Sequence, residues 1–408
     1  MSRFCITIIF CSLYGLLAAE DYKAMREQVL SLSKLTSPPQ IAPADDVVSE
    51  GNLKAVYFDA LPYEGKATKV FAWLGVPENR VEKLPGVVLV HGGGGTAFKD
   101  WVRLWTDRGF AAISIAVEGQ TDQRDKRAAS GTIPTGWKQH PWSGPWRSGI
   151  YGDSDKPLAD QWMYHAVADT ILANSLLRSL PQVDADKVGL MGISWGGIIT
   201  STVIGIDHRF AFAIPTYGCG HLADVPNQYG RSLGNNSIYR EIWDPMLRIE
   251  RAKMPVLWYS WPGDQHFPLD CQSTCYRNAG SKPMISLVPG MGHGHGAAWR
   301  RPESYAFAES VVRSGRPWCV QGASITQGNS LRVTFTSDKA LKTARLVSTV
   351  DSGLTGQRKW IVTSANLERQ DQDWIVTASL PNNTTAWFVN AATPEGVVAS
   401  SHFNDSAR

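Results

Sequence analysis

Three side chains with complementary acid–base chemistry stand just beyond apolar runs. They are Ser194 in Gly192-Ile193-Ser194-Trp195-Gly196-Gly197, Asp264 in the turn from Trp261 to Pro268, and His293 in the loop from Pro289 to Gly296. A serine hydroxyl is a poor nucleophile near neutrality, so an imidazole must take its proton during attack and return it to the leaving group. A carboxylate behind the imidazole holds the ring tautomer and stabilises the imidazolium. Nucleophile, then acid, then histidine is the chain order of hydrolases that turn sharply from a strand into a helix at the nucleophile.

Ser194 has the surroundings such a turn needs. Lys187 to Met191 reads as a short buried strand and Ile198 to Ile204 as a helix, which leaves one or two residues in which to reverse direction. Glycine at 192 and 196 avoids the side-chain collisions of that strained bend. Short Gly/Ser patterns recur by chance, and the downstream aspartate and histidine give this one its weight. Charge developing on a carbonyl oxygen also needs donors fixed in advance. Val87 to Val90 runs into His91-Gly92-Gly93-Gly94-Gly95, and the amides of Gly93, Gly94 and Trp195 are the candidate oxyanion hole. His91 is expected to orient this loop by hydrogen bonding. His295 is a second candidate base, although spacing from the strand end favours His293. Asp264, His266, His293 and His295 could be drawn as a metal site; the serine arrangement accounts for Asp264 and His293 without one, so the expectation is no metal and no cofactor.

With these residues the chain resembles the α/β-hydrolases. Within them it is similar to the secreted acetylxylan-esterase and dienelactone-hydrolase-like branch, near the prolyl-oligopeptidase type. The likeness is carried by the glycine run after His91, the bend at Ser194, the Trp261 to Pro268 turn, the Pro289 to His295 loop and the Val56 to Pro77 hairpin, and it covers roughly residues 50 to 315. It implies ester hydrolysis through an acyl-serine intermediate with no cofactor.

The elements that must position these groups follow from apolar patterning. Runs at Gly86 to Val90, Ala111 to Val117, Val188 to Met191, Ala211 to Ile214, Val256 to Ser260 and Met284 to Val288 alternate with helical stretches, the clearest being Trp162 to Leu180. Continuous apolar strands separated by helices imply a doubly wound, mostly parallel sheet covered on both faces, with ligands beyond the strands' carboxyl ends. Gln28 to Ala44 has no clear period. After Pro317 the texture changes: Leu331 to Thr336 alternates strictly, and Trp374 to Leu380, Thr385 to Ala391 and Val397 to Ser401 are further β-prone runs. The reading is a catalytic domain over residues 20–317 and a small C-terminal β-sandwich over 318–408, the latter packed against the catalytic domain for stability in preference to binding carbohydrate.

Residues 118–155 form the longest loop and read as a cap over the site, with Trp137, Trp142, Trp146 and Tyr151 within it. Sixteen tryptophans in 408 residues suit the C–H faces of sugar rings as well as they suit packing. Trp137, Trp142, Trp146 and, on the loop after Ala211 to Pro215, Tyr217 are the candidate substrate-binding residues.

Arg3, the apolar run Phe4 to Leu17 and Ala18-Ala19 have the layout of a secretory signal over residues 1–19, cleaved near Ala19, and no later apolar segment is long enough to span a bilayer. The mature protein is therefore expected to be secreted or periplasmic. In an oxidising compartment Cys219, Cys271, Cys275 and Cys319 permit three disulfide pairings, among which the sequence does not choose. A hydrophobic content of 43%, 19% charged residues and a net charge of +3 describe a globular chain too balanced for a phosphate-tracking surface. Nucleic acid and membrane are excluded as partners, and the oligomeric state is left open. The favoured function is a secreted serine esterase acting on polysaccharide or other small acyl esters. A peptidase of the prolyl-oligopeptidase-like type is the alternative, and a non-catalytic binding protein stands third because no triad member is replaced.

Overall fold

Eleven of the strands belong to the first part of the chain. They are β1 (Ile41–Pro43), β2 (Leu53–Tyr63), β3 (Lys66–Gly75), β4 (Leu84–Val90), β5 (Ala111–Ile115), β6 (Gln120–Arg124), β7 (Trp137–Gln139), β8 (Val183–Ile193), β9 (Ala213–Thr216), β10 (Leu257–Ser260) and β11 (Met284–Leu287). The structure is a computed structural model that describes residues 21–78, 81–125 and 136–405. The expected signal segment lies outside the described residues.

Nine of these strands form one sheet in the order β1-β2-β3-β5-β4-β8-β9-β10-β11. The antiparallel hairpin of β2 and β3 joins antiparallel to β5, and the run from β5 to β11 is parallel throughout. β4, β5, β9, β10 and β11 are mainly apolar, with Ser114, Thr216, Ser260 and Ser286 the polar exceptions, and are buried at every position but Pro85, as crossover helices require. The chain moves from β4 out to β5 and then returns to place β8 on the other side of β4. The order in which strands are added therefore reverses between β4 and β8, where α/β sheets open a crevice. The helix Trp162–Ser179, buried at 16 of its positions, fills the layer between this sheet and the N-terminal segment. Residues 21–31 are helical and Ile41–Pro43 pairs with β2, so the lead-in is more ordered than its lack of period implies; buried Val29 and Leu32 tie it to the core.

The remaining strands are β12 (Cys319–Gln327), β13 (Ser330–Ser337), β14 (Thr343–Thr349), β15 (Ile361–Gln370), β16 (Asp373–Ser379), β17 (Ala386–Ala392), β18 (Val398–Ser400) and β19 (Asn404–Asp405). They form a separate, wholly antiparallel sheet. β15 curls it: Ile361–Ala365 pairs with β14 while Asn366–Gln370 pairs with β16. Leu331, Val333 and Phe335 of β13 point inward with Leu346, Val376, Phe388 and Val389, which is the buried half of the period-2 pattern read from the sequence.

Two expectations need correction. The loop over residues 118–155 carries an antiparallel ribbon of β6 and β7, because Trp137 anchors it by donating its indole N–H to the Gly94 carbonyl (2.9 Å). Cys219, Cys271, Cys275 and Cys319 are buried free thiols with no bridge formed. Cys219, Cys271 and Cys275 are near neighbours, while Cys319 lies apart beside Ser337. Cys271 donates to His221 O and Cys275 accepts the Gly220 amide, and three thiols in one cluster and one elsewhere do not pair off as an even count suggests.

Candidate active site

Loops from the carboxyl ends of the six parallel strands β4, β5, β8, β9, β10 and β11 meet at the crevice. After β8 the chain turns at Ser194, held at φ 59°, ψ −113°, and enters the helix Trp195–Val203. A Cβ on Gly192 would stand 2.0 Å from the Gly196 carbonyl oxygen, and one on Gly196 would stand 2.1 Å from that of Val90. Glycine is thus obligatory at both positions for close approach, and the Ser194 amide donates to Thr216 O (2.8 Å) to pin the bend onto β9. The strain is local and over-determined by its surroundings.

Ser194 Oγ donates to His293 Nε2 at 3.0 Å, and His293 Nδ1 donates to Asp264 Oδ2 at 2.8 Å. Asp264 is fully buried. Its other oxygen accepts the amides of His266 and Phe267, both at 2.9 Å, so both carboxylate oxygens are satisfied without solvent. Tyr217 lies against the His293 ring at 4.4 Å, and Phe267 stacks near it at 6.0 Å with planes 20° apart. The relay therefore has a fixed ring orientation.

The glycine loop after β4 is supported by two imidazoles. His91 is buried; its Nδ1 lies 2.7 Å from Gly92 O and its Nε2 accepts the Val117 amide at 3.1 Å. Burial depresses its pKa to about 3, so it stays neutral. His295 hydrogen-bonds to the glycine loop and not to Ser194: its Nε2 accepts the Gly92 amide at 2.8 Å, and its ring packs 5.0 Å from Phe98. Burial lowers its pKa to about 4, and it too is neutral. Between these anchors the amides of Gly93 and Gly94 meet no acceptor among the described residues, and the Trp195 amide is the first of its helix and has no intrahelical partner. Three N–H groups are left at the crevice.

The sequence did not point to Arg147 or Glu118. Arg147 Nη2 stands 3.0 Å from the position of a Cβ on Gly93, its guanidinium lies 4.7 Å from the Trp195 ring, and its Nε donates to Glu118 Oε1 at 3.2 Å. Burial raises the Glu118 pKa and Arg147 opposes that rise. Glu118 follows the apolar run of β5 at the sheet's carboxyl end, a polar position that could have drawn notice; Arg147 sits in an aperiodic aromatic stretch and gave no signal. Tyr229, also unmarked, packs between Trp195 (5.7 Å) and Phe267 (5.0 Å).

The expected substrate-binding aromatics divide. Tyr217 is fully buried and its hydroxyl donates to Gly292 O (2.8 Å). Trp137 is 8% exposed and donates to Gly94 O. Both support loops and present no face to a ligand. Trp142 and Trp146, by contrast, are 45% and 53% exposed. Trp142 borders a cavity of about 570 Å³ with Tyr57, Asp46 and Lys138, and Trp146 borders an adjoining one of about 630 Å³ with Tyr63 and Lys156.

The sequence matches the acetyl xylan esterase (AXE1) family over residues 17–253. The fold resembles solved structures that include two acetyl xylan esterases. Acetyl xylan esterase 1 from Thermoanaerobacterium sp. JW/SL YS485 is 20% identical, with 68% of this chain and 89% of that one covered and a TM-score of 0.51. The acetyl xylan esterase from Paenibacillus sp. R4 is also 20% identical, with 72% and 93% covered and a TM-score of 0.52. Among curated proteins no match is found. Among the described residues no helix is long and apolar enough to cross a membrane.

Proposed function

Because this chain belongs to the acetyl xylan esterase family, matched over more than half its length, and is therefore a serine carboxylesterase, we propose that it works through an acyl-serine intermediate, with Ser194 as nucleophile, His293 as general base and acid, and Asp264 as its orienting carboxylate. The observation that carries this reading is the continuous relay of 3.0 and 2.8 Å between the three side chains. Ser194 Oγ attacks the ester carbonyl as His293 Nε2 takes its proton. The oxyanion is received by the amides of Gly93, Gly94 and Trp195. Collapse breaks the bond to the alcohol oxygen, which leaves with the proton from His293, and water then releases the acid by the same route in reverse. His295 is not the base in this scheme, since its Nε2 already accepts the Gly92 amide.

The substrate we infer is a small acyl ester, with O-acetyl groups on polysaccharide as the favoured class. Support comes from the exposed indoles of Trp142 and Trp146 beside mainly apolar cavities that also present Asp46, Lys138 and Lys156. We further read the protein as exported after loss of residues 1–19, and residues 20–317 and 318–408 as two domains. Hydrolysis of p-nitrophenyl acetate, acetylated xylan and aminoacyl-p-nitroanilides tests the reading. Turnover of the esters alone, abolished by Ser194→Ala with the fold intact by circular dichroism, is the expected result. Near-normal turnover by Ser194→Ala would overturn it.

A further inference from the structure

The acid turn and the histidine loop extend from β10 and β11, which end the large sheet, and β11 has no strand beyond it. The groups that meet these two elements come from the C-terminal β strands and the turns between them. At the acid turn the contact is steric. A Cβ on Gly356 would stand 2.1 Å from the Asp264 carbonyl oxygen, 2.5 Å from its carbon and 2.8 Å from the Gln265 Cα. Gly356 does not occupy the left-handed region that would by itself call for glycine. Glycine is required there because the Thr355–Gln357 turn presses directly onto the backbone of the catalytic acid.

That turn is held from both sides. Thr355 donates its amide (3.1 Å) and hydroxyl (2.6 Å) to Asp270 Oδ2, in the first turn of the helix that follows the acid turn. Arg358 donates to Gly353 O at 2.9 and 2.7 Å and to Asp405 Oδ2 at 3.0 Å, with both side chains of the pair 4% exposed. A buried ion pair with several hydrogen bonds costs much to break, so the turn is a rigid abutment.

At β11 the contact replaces a missing neighbour strand. The Leu287 amide donates to Ser400 Oγ (2.7 Å) and its carbonyl accepts from Asn390 Nδ2 (2.9 Å). Ser400 Oγ in turn donates to Asn390 Oδ1 at 2.6 Å, and Ser286 Oγ donates to Val398 O at 2.9 Å. Two side chains thus satisfy the donor and acceptor that an edge strand leaves open, one residue before the loop that carries His293.

We propose that the C-terminal β unit is part of the catalytic apparatus: Gly356 sets the position of the acid turn, and Asn390 with Ser400 sets that of the histidine loop. All three are positioning residues, acting through Asp264 and His293. The inference rests on the triad reading above. It assigns the unit a function that burial for stability alone does not predict, namely control of kcat at constant substrate affinity.

The test is made in the full-length protein with p-nitrophenyl acetate, active-site labelling by a fluorophosphonate, and the downfield proton resonance of the Asp264–His293 hydrogen bond. Gly356→Ala must push the Asp264 carbonyl outward, and a misplacement of this kind costs about 10- to 100-fold in kcat, with KM within about twofold. Labelling should slow in parallel and the downfield resonance should shift or broaden. Asn390→Ala and Ser400→Ala should each lower kcat by about 3- to 10-fold. Arg332→Ala, on the outward side of β13, should leave all three readouts unchanged. Wild-type kcat and labelling in Gly356→Ala, or losses in the Asn390 and Ser400 variants confined to the melting temperature, would overturn the proposal; if Gly356→Ala does not fold, the latter two variants decide it. Failure of the triad reading is seen separately, as turnover retained by Ser194→Ala.

Discussion

The two sides of the crevice are built differently. Ser194 and the glycine loop follow β8 and β4, adjacent strands inside the sheet, each paired on both sides. Their geometry is set by backbone contacts too close for a side chain, at Gly192 and Gly196, and by the neutral imidazoles of His91 and His295. Asp264 follows β10, which is paired with β9 and β11, and His293 follows β11, the last strand of the sheet; both receive further supports from residues 353–405. Only β11 lacks a neighbour strand on one side, and there the side chains of Asn390 and Ser400 take the place of one. Both sides rely on contacts more than 100 residues away, but the serine side makes them with residues of the large sheet's own strands and loops, Val90 and His295, and the acid–base side makes them with Asn390 and Ser400 of the C-terminal strands.

Substitutions can break or sharpen this contrast. The largest effect is expected from Ser194→Ala, a loss of at least about 10⁴-fold in kcat, since triad members act as a unit. Gly192→Ala comes next, because it drives a methyl into the Gly196 carbonyl; it should lower the melting temperature and the yield of folded protein, where Gly356→Ala mainly lowers kcat. If Gly192→Ala instead folded normally with full activity, the interior side would not be set by backbone contact. His295→Ala removes the acceptor of the Gly92 amide and should cost about 10- to 100-fold in kcat, partly restored in His295→Gln, whose side-chain oxygen can accept the same amide.

A pH effect follows from the same imidazoles. His91 and His295 have folded pKa values of about 3 and about 4 against 6.5 unfolded. Below 6.5 the unfolded chain binds protons that the folded chain does not, so their contribution is present above pH 6.5 and is lost as pH falls toward 4 and 3. The melting temperature should therefore drop on acidification across that window, and His295→Gln should flatten the drop. An unchanged acid limb in that variant would remove His295 from the serine-side support. The smallest effect on the chemical step belongs to Trp142→Ala. It should leave p-nitrophenyl acetate turnover within about twofold while lowering kcat/KM on acetylated xylan by about tenfold, the worth of one aromatic contact; equal effects on both substrates would argue against a sugar-binding role.

Much of the site was legible because its signals are local. A glycine pair around a serine, an apolar run ending in Pro-Gly-Asp and another ending in a glycine-flanked histidine each announce a loop after a strand, whatever lies elsewhere. The same reasoning misjudged Tyr217 and Trp137, because an aromatic on a functional loop reads identically whether its face meets substrate or a neighbouring backbone. It missed Arg147, Glu118 and the task of His295, since each acts on a residue distant in sequence.

By itself, then, the sequence determined which residues stand at strand ends, in what chain order, and that a parallel α/β sheet is followed by an alternating β unit. Hydrophobic period and turn chemistry are properties of short windows, and they suffice for that. Only the tertiary structure decided which of two histidines hydrogen-bonds to the serine, which aromatics stay exposed, and that Gly356 abuts the Asp264 backbone while Asn390 and Ser400 hold Leu287 ahead of the histidine loop. Those outcomes depend on packing distances of 2 to 3 Å between segments far apart along the chain, and no local pattern encodes a distance between segments.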